Sequence, residues 1–328
     1  MSRTTVVYLS GFGRSGSTLV ERMLGAAPTW VNVGELVDLA RSVARTDELC
    51  GCGEPFSRCP VWTRVGETAF GGWTTDVLDR LARVQRSAAR QRHLPGLLAP
   101  RRAASGALVE LRNAYAAMYR AVAEVTGSTV VVDASKGPAL GAALAGAPDV
   151  DLRMLNVVRD PRAVAWSWRR HVDRPHATSG TDEMWRIPVH RSAAQWSALQ
   201  LEVEAIAYAG RLPVARIRYE DLVSDPVRTL ATATATLDVP LGPGDLPVAG
   251  GEVVLQPSHG LSGNPGRFRS GRVPLTRDDR WVTEMPGSSR ALVTALTLPL
   301  LRTYRYPLVN YTPVPAVPLG ERPSWSSS

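Results

Sequence analysis

The stretch Thr4-Thr5-Val6-Val7-Tyr8-Leu9-Ser10-Gly11-Phe12-Gly13-Arg14-Ser15-Gly16-Ser17-Thr18-Leu19 decides the fold. Four consecutive large apolar residues, Val6 to Leu9, end in a glycine-rich turn and read as a strand buried on both faces. A helix opens at about Ser17 and runs to about Gly25. Strand, Gly-rich loop and helix in that order aim successive backbone N–H groups and a helix N-terminus at one point, an arrangement that cradles anions. The alternative is a plain turn. In the frame GxxxxGK[ST], Gly11, Gly16 and Thr18 align, but Ser17 stands where a nucleoside triphosphatase carries its lysine. The cation of this loop is Arg14.

Outward from that unit, residues 129–133, 152–158 and 213–219 read as three more short apolar strands, each followed by a helix. The helices start at about Pro138, at Pro161 behind an Asp160 cap, and at Asp225-Pro226. Strands alternating with helices imply an α/β class fold of the P-loop-like kind, three layers (α/β/α) around a central parallel sheet, with ligands at the carboxyl ends of the strands. Residues 28–127, between the first and second of these strands, read as a helical insertion (75–91 and 105–126) that caps the sheet and meets an acceptor. Beyond Gly242 the chain is rich in Gly and Pro, then forms a last helix over about 288–304. Residues 1–310 are expected to form one domain, and the Pro- and Ser-rich segment 311–328 a mobile tail.

The composition narrows the function classes. In 328 residues with 44% apolar content, 38 basic residues oppose 30 acidic ones for a net +8, and only one of the 38, Lys136, is a lysine. No segment approaches the roughly 20 apolar residues of a membrane span, and the N-terminus has no signal-peptide pattern, which predicts a cytoplasmic protein. The excess charge is local: residues 80–102 hold Arg80, Arg83, Arg86, Arg90, Arg92, Arg101 and Arg102 with no carboxylate. That stripe suits a membrane surface or an acidic acceptor, or is merely solvated. No nucleic-acid-binding module is present. Cys50, Cys52 and Cys59 form a cluster of three, one thiol short of a tetrahedral zinc set, with His93 too remote in sequence to nominate. A structural clasp, by disulfide or metal, fits them better than catalysis, and no metal is assigned.

A second anion site follows the strand at 152–158. Arg159 leaves the strand beside a helix N-terminus, and Ser167 lies about two turns along that helix, so a guanidinium fork and a hydroxyl can grip one phosphate from two sides. Two such sites on neighbouring strand ends suit a nucleoside with phosphates at both ends.

At these residues the chain resembles the sulfotransferases that use 3′-phosphoadenosine 5′-phosphosulfate, in the branch of bacterial and tyrosylprotein enzymes. The loop through Gly13, Arg14, Ser15, Gly16, Ser17 and Thr18 is similar to their 5′-phosphosulfate loop, and the Arg159 and Ser167 pair to their 3′-phosphate motif. The resemblance implies further roles. Val33-Gly34-Glu35 is similar to the segment that carries the general base, and Asp133-Ala134-Ser135-Lys136 to the strand end whose lysine faces the sulfuryl group. Tyr219-Glu220-Asp221-Leu222 is similar to a segment near the nucleoside. Ser262 to Phe268, with Asn264 and Arg267, is similar to a loop that closes over the donor. Members with a histidine base place it just after the lysine, where this chain has Gly137 and Pro138, so Glu35 is the expected base.

Sulfuryl transfer moves charge onto the bridging oxygen of the leaving phosphate and requires no metal. Arg14, Lys136 and the helix N-terminus would oppose that charge, and Glu35 would take the acceptor proton. A Glu that merely favours a helix N-terminus is the plainer reading. The acceptor is expected to be a carbohydrate, glycolipid or phenolic natural product. His171 and His259 could line its pocket or simply be satisfied elsewhere; His176 and His190 show no metal spacing. Trp166, Trp168, Trp185 and Trp196 could stack on an acceptor ring, although packing suits them as well. Two other functions compete: a P-loop kinase-like phosphotransferase with Val130 to Asp133 as its metal-binding strand, and a non-catalytic nucleotide or polyanion binder.

Overall fold

The computed structural model describes residues 3–99, 104–170, 186–242 and 244–308. Five strands form one parallel sheet: β1 (Thr4–Ser10), β2 (Trp30–Gly34), β3 (Val130–Lys136), β4 (Val150–Val158) and β5 (Val214–Arg218), in the order β2-β3-β1-β4-β5. Side chains alternate across the pleat, so Val6 and Tyr8 enter one apolar cluster and Val7 and Leu9 the other, all four fully buried. Burying each such side chain contributes about 1.5–3 kcal/mol, which is why a charge anywhere in β1 would be costly.

Helix α1 (Ser17–Leu24) follows β1. The helical insertion holds α2 (Pro60–Phe70), α3 (Thr75–Ala88), α4 (Leu94–Leu98) and α5 (Gly106–Thr126). It packs on the Tyr8 face through Trp62, Leu81, Tyr115 and Tyr119. Helix α6 (Pro138–Leu144) follows β3. After β4 come α7 (Pro161–Ser167) and α8 (Val189–Ala209), and after β5 come α9 (Tyr219–Ser224) and α10 (Pro226–Thr236). The Asp160 carboxylate accepts from the Arg162 amide at 2.9 Å, as its capping role predicts.

Three expectations change. The predicted insertion 28–127 includes β2, an edge strand of the sheet, so the helical part begins only after Gly34. The Gly- and Pro-rich stretch builds a small antiparallel sheet, β6 (Val248–Ala249), β7 (Glu252–Leu255) and β8 (Gly271–Pro274), before α11 (Trp281–Glu284) and α12 (Gly287–Thr303). The arginine stripe is broken: Arg83 and Arg86 are exposed on α3, Arg90 lies past its end, and Arg80 pairs with Glu110 at 3.4 Å. Arg101, Arg102, His171, His176, Trp185 and the tail 311–328 lie outside the described residues. No helix among the described residues is long and apolar enough to cross a membrane.

Candidate active site

The chain leaves central β1 with β3 on one side and β4 on the other, the place where an open parallel sheet forms a crevice at its carboxyl edge. A cavity of about 600 Å³ lies there, lined by Lys136 at the end of β3 and by residues that follow the other four strands. From the loop after β1 come Gly13, Arg14 and Gly16, with Ser17 and Thr18 opening α1. The first amides of a helix have no partner inside it, so this turn offers donors to a ligand. Gly16 must be glycine: its φ is 91°, and a Cβ would come within 2.5 Å of the Tyr219 ring. Arg14, also in the left-handed region at φ 73°, lays its guanidinium 5.1 Å from the Trp168 ring centroid, and Trp168 Nε1 donates to the Gly13 carbonyl at 3.0 Å. Burial lowers the pKa of Arg14 and the nearby Arg170 adds to the effect, so its charge is poorly solvated and favours an anion.

On the β4 side, Arg159 is buried and stacks 4.6 Å from the Tyr219 ring centroid. It donates to the carbonyls of Arg14 and Asp278, each at 3.1 Å. Burial pushes the Asp278 carboxyl up, but Arg280, Arg159 and Arg170 outweigh it and hold it below the usual range. Ser167, the last residue of α7, and Tyr219, the first of α9, also line the cavity.

On the β2 and β3 side, Glu35 and Lys136 face each other and form an ion pair between Oε1 and Nζ, both partly exposed to the cavity. Backbone conformation aims each of them. Lys136 has φ 65°, and the Gly137 amide donates to the Ser135 carbonyl across it at 2.7 Å, a tight turn that costs a non-glycine residue about 1–3 kcal/mol. A buried bracket holds this turn. Asp133 Oδ1 accepts from the Ser135 hydroxyl (2.5 Å) and amide (2.9 Å), its Oδ2 from the Tyr119 hydroxyl (2.6 Å), and Ser135 Oγ accepts from the Val37 amide (3.0 Å). Burial pushes Asp133 up to about 6 against these hydrogen bonds. Fully buried and engaged, Asp133 does not reach the cavity, which removes the metal-binding strand a kinase would need.

Glu35 is aimed from the other side. Gly34 has φ 77°, and a Cβ there would lie 2.1 Å from Leu261 N and O. The close approach lets Glu35 N donate to Leu261 O (2.8 Å) and Leu261 N to Val33 O (3.0 Å), so the 258–268 loop is pinned across the β2 edge beside the carboxylate. Arg22 of α1 ties the two ends of that loop together. Its buried guanidinium donates to the carbonyls of Gln256 (2.6 Å), Gly266 (3.4 Å), Arg267 (2.5 Å) and Arg269 (3.0 Å). Beneath it, Glu21 accepts from Asn32 Nδ2 at 2.9 Å and from the Gly34 amide; burial raises its pKa to about 7.

The structure thus gathers Gly13, Arg14, Gly16, Ser17, Thr18, Glu35, Lys136, Arg159, Ser167, Tyr219 and Asn264 around one cavity. Two predicted residues do not line it. Ser15, expected to serve through its backbone, is fully buried within the loop and its amide donates to the Phe12 carbonyl at 3.2 Å. Arg267 points inward, donating to the carbonyls of Gly263 (3.2 Å) and Leu49 (3.3 Å), and Arg269 lines the cavity instead. Sequence reasoning missed Arg22, Asp38, Leu255 of β7 and Val273 and Pro274 of β8; of the two readings of Trp168, stacking on an acceptor ring or packing, the structure shows it packed against Arg14. Of the two readings of His259, the structure shows the one satisfied elsewhere: it is not in the cavity but sits against the three cysteines.

The profile described as "Sulfotransferase family" matches residues 7–243. The chain belongs to the sulfotransferase family. Among solved structures it is similar to the sulfotransferase domain of the Synechococcus PCC 7002 olefin synthase, at 16% identity and a TM-score of 0.54, over 94% of this chain and 97% of that one. It is also similar to the sulfotransferase domain of the curacin biosynthetic pathway, at 16% identity and a TM-score of 0.52, over 94% and 99% of the two chains. At these identities the likeness is one of fold. Among curated proteins no sequence matched.

Proposed function

We propose that this sulfotransferase takes its sulfuryl group from 3′-phosphoadenosine 5′-phosphosulfate and transfers it to a hydroxyl of a carbohydrate, glycolipid or phenolic natural-product acceptor. The observation that carries the reading is the Glu35–Lys136 pair set beside the Arg14 loop on one cavity. The residues present suit a polyanionic nucleotide. Arg14, Lys136, Arg159 and Arg269 face the cavity together with the open end of α1, against two carboxylates, Glu35 and Asp38. Arg14 with the amides of Gly16, Ser17 and Thr18 would hold the 5′ end, Arg159 with Ser167 the 3′-phosphate, and Tyr219 would lie near the nucleoside.

In the ion pair Glu35 is a carboxylate, the form that accepts a proton. Glu35 Oε1 takes the proton of the acceptor hydroxyl as the acceptor oxygen bonds to sulfur and the bond from sulfur to the bridging oxygen breaks. The electron pair goes to the leaving 3′,5′-ADP, where Lys136 Nζ and Arg14 oppose the new charge. Lys136 therefore contacts both the base and the leaving group. A compact ammonium does this better than a planar guanidinium, which gives the lone lysine of the chain a reason to be one.

Glu35→Gln and Lys136→Ala test the reading. Turnover with the labelled donor should fall by about 10²–10⁴-fold in each, while calorimetric affinity for 3′,5′-ADP stays within a few fold. Wild-type turnover in either variant removes that residue from the mechanism. Failure of the native protein to bind 3′,5′-ADP overturns the donor. Mass spectrometry of a native extract, searched for an enzyme-dependent gain of one SO₃, identifies the acceptor.

A further inference from the structure

Cys50, Cys52 and Cys59 lie in the first turn-rich part of the insertion, and His259 lies 200 residues later, between β7 and β8. Folding brings their three Sγ atoms and a ring nitrogen within 4.8 Å of one another. For a tetrahedral zinc ion, bond lengths of about 2.3 Å to sulfur and about 2.0 Å to nitrogen place two sulfurs roughly 3.8 Å apart and a sulfur and a nitrogen roughly 3.5 Å apart. Cys52 Sγ is 3.8 Å from Cys59 Sγ, and His259 Nδ1 is 3.9 Å from Cys50 Sγ and 3.2 Å from Cys59 Sγ. The donor set is all sulfur and nitrogen with no carboxylate, which suits zinc rather than magnesium or calcium.

The backbone holds these side chains independently of any ion. Cys50 N donates to Glu54 O at 2.8 Å and Gly53 N to Cys50 O at 2.9 Å, closing the turn that bears the first two thiols. Trp62 Nε1 donates to His259 O at 2.8 Å and Gly51 N to Gly260 O at 3.0 Å, fixing the histidine segment against that turn. Cys50 and Cys59 are buried, and none of the four residues lines the catalytic cavity.

We propose that Cys50, Cys52, Cys59 and His259 bind one Zn²⁺ in a closed, four-coordinate structural site. The site ties the insertion to the loop whose next residues, Gly260 and Leu261, reach Gly34 and Glu35. It is a clamp on the active-site loop, two residues from its anchor, and takes no part in the transfer. Binding releases the thiol protons, and the ion has no open coordination position.

The full chain, purified without chelator and passed through gel filtration, should carry about one zinc per chain by plasma mass spectrometry. X-ray absorption at the zinc edge should give three sulfurs and one nitrogen. Cys52→Ser, at the least buried cysteine, and His259→Ala should each lower zinc content more than twofold. Should those variants fail to fold, wild-type protein stripped of metal and loaded with Co²⁺ provides the second measurement: a tetrahedral thiolate spectrum is expected, together with slower amide exchange at Gly260 and Leu261 than in the stripped protein. Three freely titratable thiols with no bound metal after incubation with zinc overturn the proposal, as does a cysteine disulfide in the purified chain. These readouts need no donor or acceptor, so they stand or fall apart from the sulfuryl-transfer reading.

Discussion

Replacing Glu21 by Gln should change the pH dependence of stability in a direction and size that the structure sets. Glu21 lies beneath the active-site floor, 4% exposed, with its pKa raised by burial from 4.5 to about 7. A folded-state pKa above the unfolded one means that the native protein holds a proton more tightly. This contribution to stability is complete below about pH 4.5 and is lost as pH rises through about 7. At about 1.4 kcal/mol per pKa unit, the loss between pH 4.5 and 8 is about 3 kcal/mol. The Gln variant has no proton to lose. Whatever its fixed cost in hydrogen bonding, the difference in unfolding free energy, variant minus wild type, should climb by about 3 kcal/mol across that range. In a chain of this size that corresponds to roughly 5 °C in Tm. Urea unfolding at 25 °C between pH 4.5 and 8 measures it. Asp133, also raised, titrates in both proteins and cancels in the difference. A difference that stays flat with pH, or falls, refutes the assignment of a strained buried charge to Glu21.

Two further outcomes follow from the site's geometry. Gly34→Ala places a Cβ on the Leu261 backbone and forces a non-glycine residue to positive φ; loss of two backbone hydrogen bonds at about 1 kcal/mol each, plus about 1–2 kcal/mol of strain, should cost about 3 kcal/mol. Amide exchange should rise at residues 261–268, and unchanged exchange there would mean that the loop is held some other way. Arg159→Lys keeps the charge but loses the fork, so affinity for 3′,5′-ADP should fall about tenfold or more by calorimetry, equivalent to one charge-assisted hydrogen bond; an unchanged affinity would move the 3′-phosphate elsewhere.

Much of this was readable from residues. The β1 strand, its loop and α1 announce themselves because an apolar run, three glycines and a helix start fall within sixteen residues. Arg159 and Ser167 are legible for a similar reason, being one strand end and its capped helix. The β2 strand was not, because five residues with two valines give too short a period to separate from a loop, and its place at the sheet edge comes from pairing with β3. Glu35 was reached through family resemblance; its partner Lys136 stood out because it is the one lysine of the chain. Arg267 and Arg269 exchange places because a short 3₁₀ turn, unlike a strand or a long helix, imposes no pattern that tells inward from outward. The fourth member of the cysteine cluster was beyond any local reading, since His259 is recruited by a loop whose course depends on Gly34 and Arg22.

That loop also sets a timetable. The five-stranded sheet is complete in the chain once Arg218 has been made, and the stretch matching the family profile ends at residue 243. Leu255 to Thr276, which wall one side of the cavity and supply the four carbonyls around Arg22, are synthesised later. During synthesis the strands of the sheet therefore leave the ribosome before the cavity wall and before the carbonyls that enclose the Arg22 guanidinium. The late residues also pack behind the sheet: Leu300, Leu301, Tyr304 and Tyr306 complete the apolar cluster around Val158 and Trp196, so a chain stopped at residue 243 lacks both the cavity wall and part of the core beside β4.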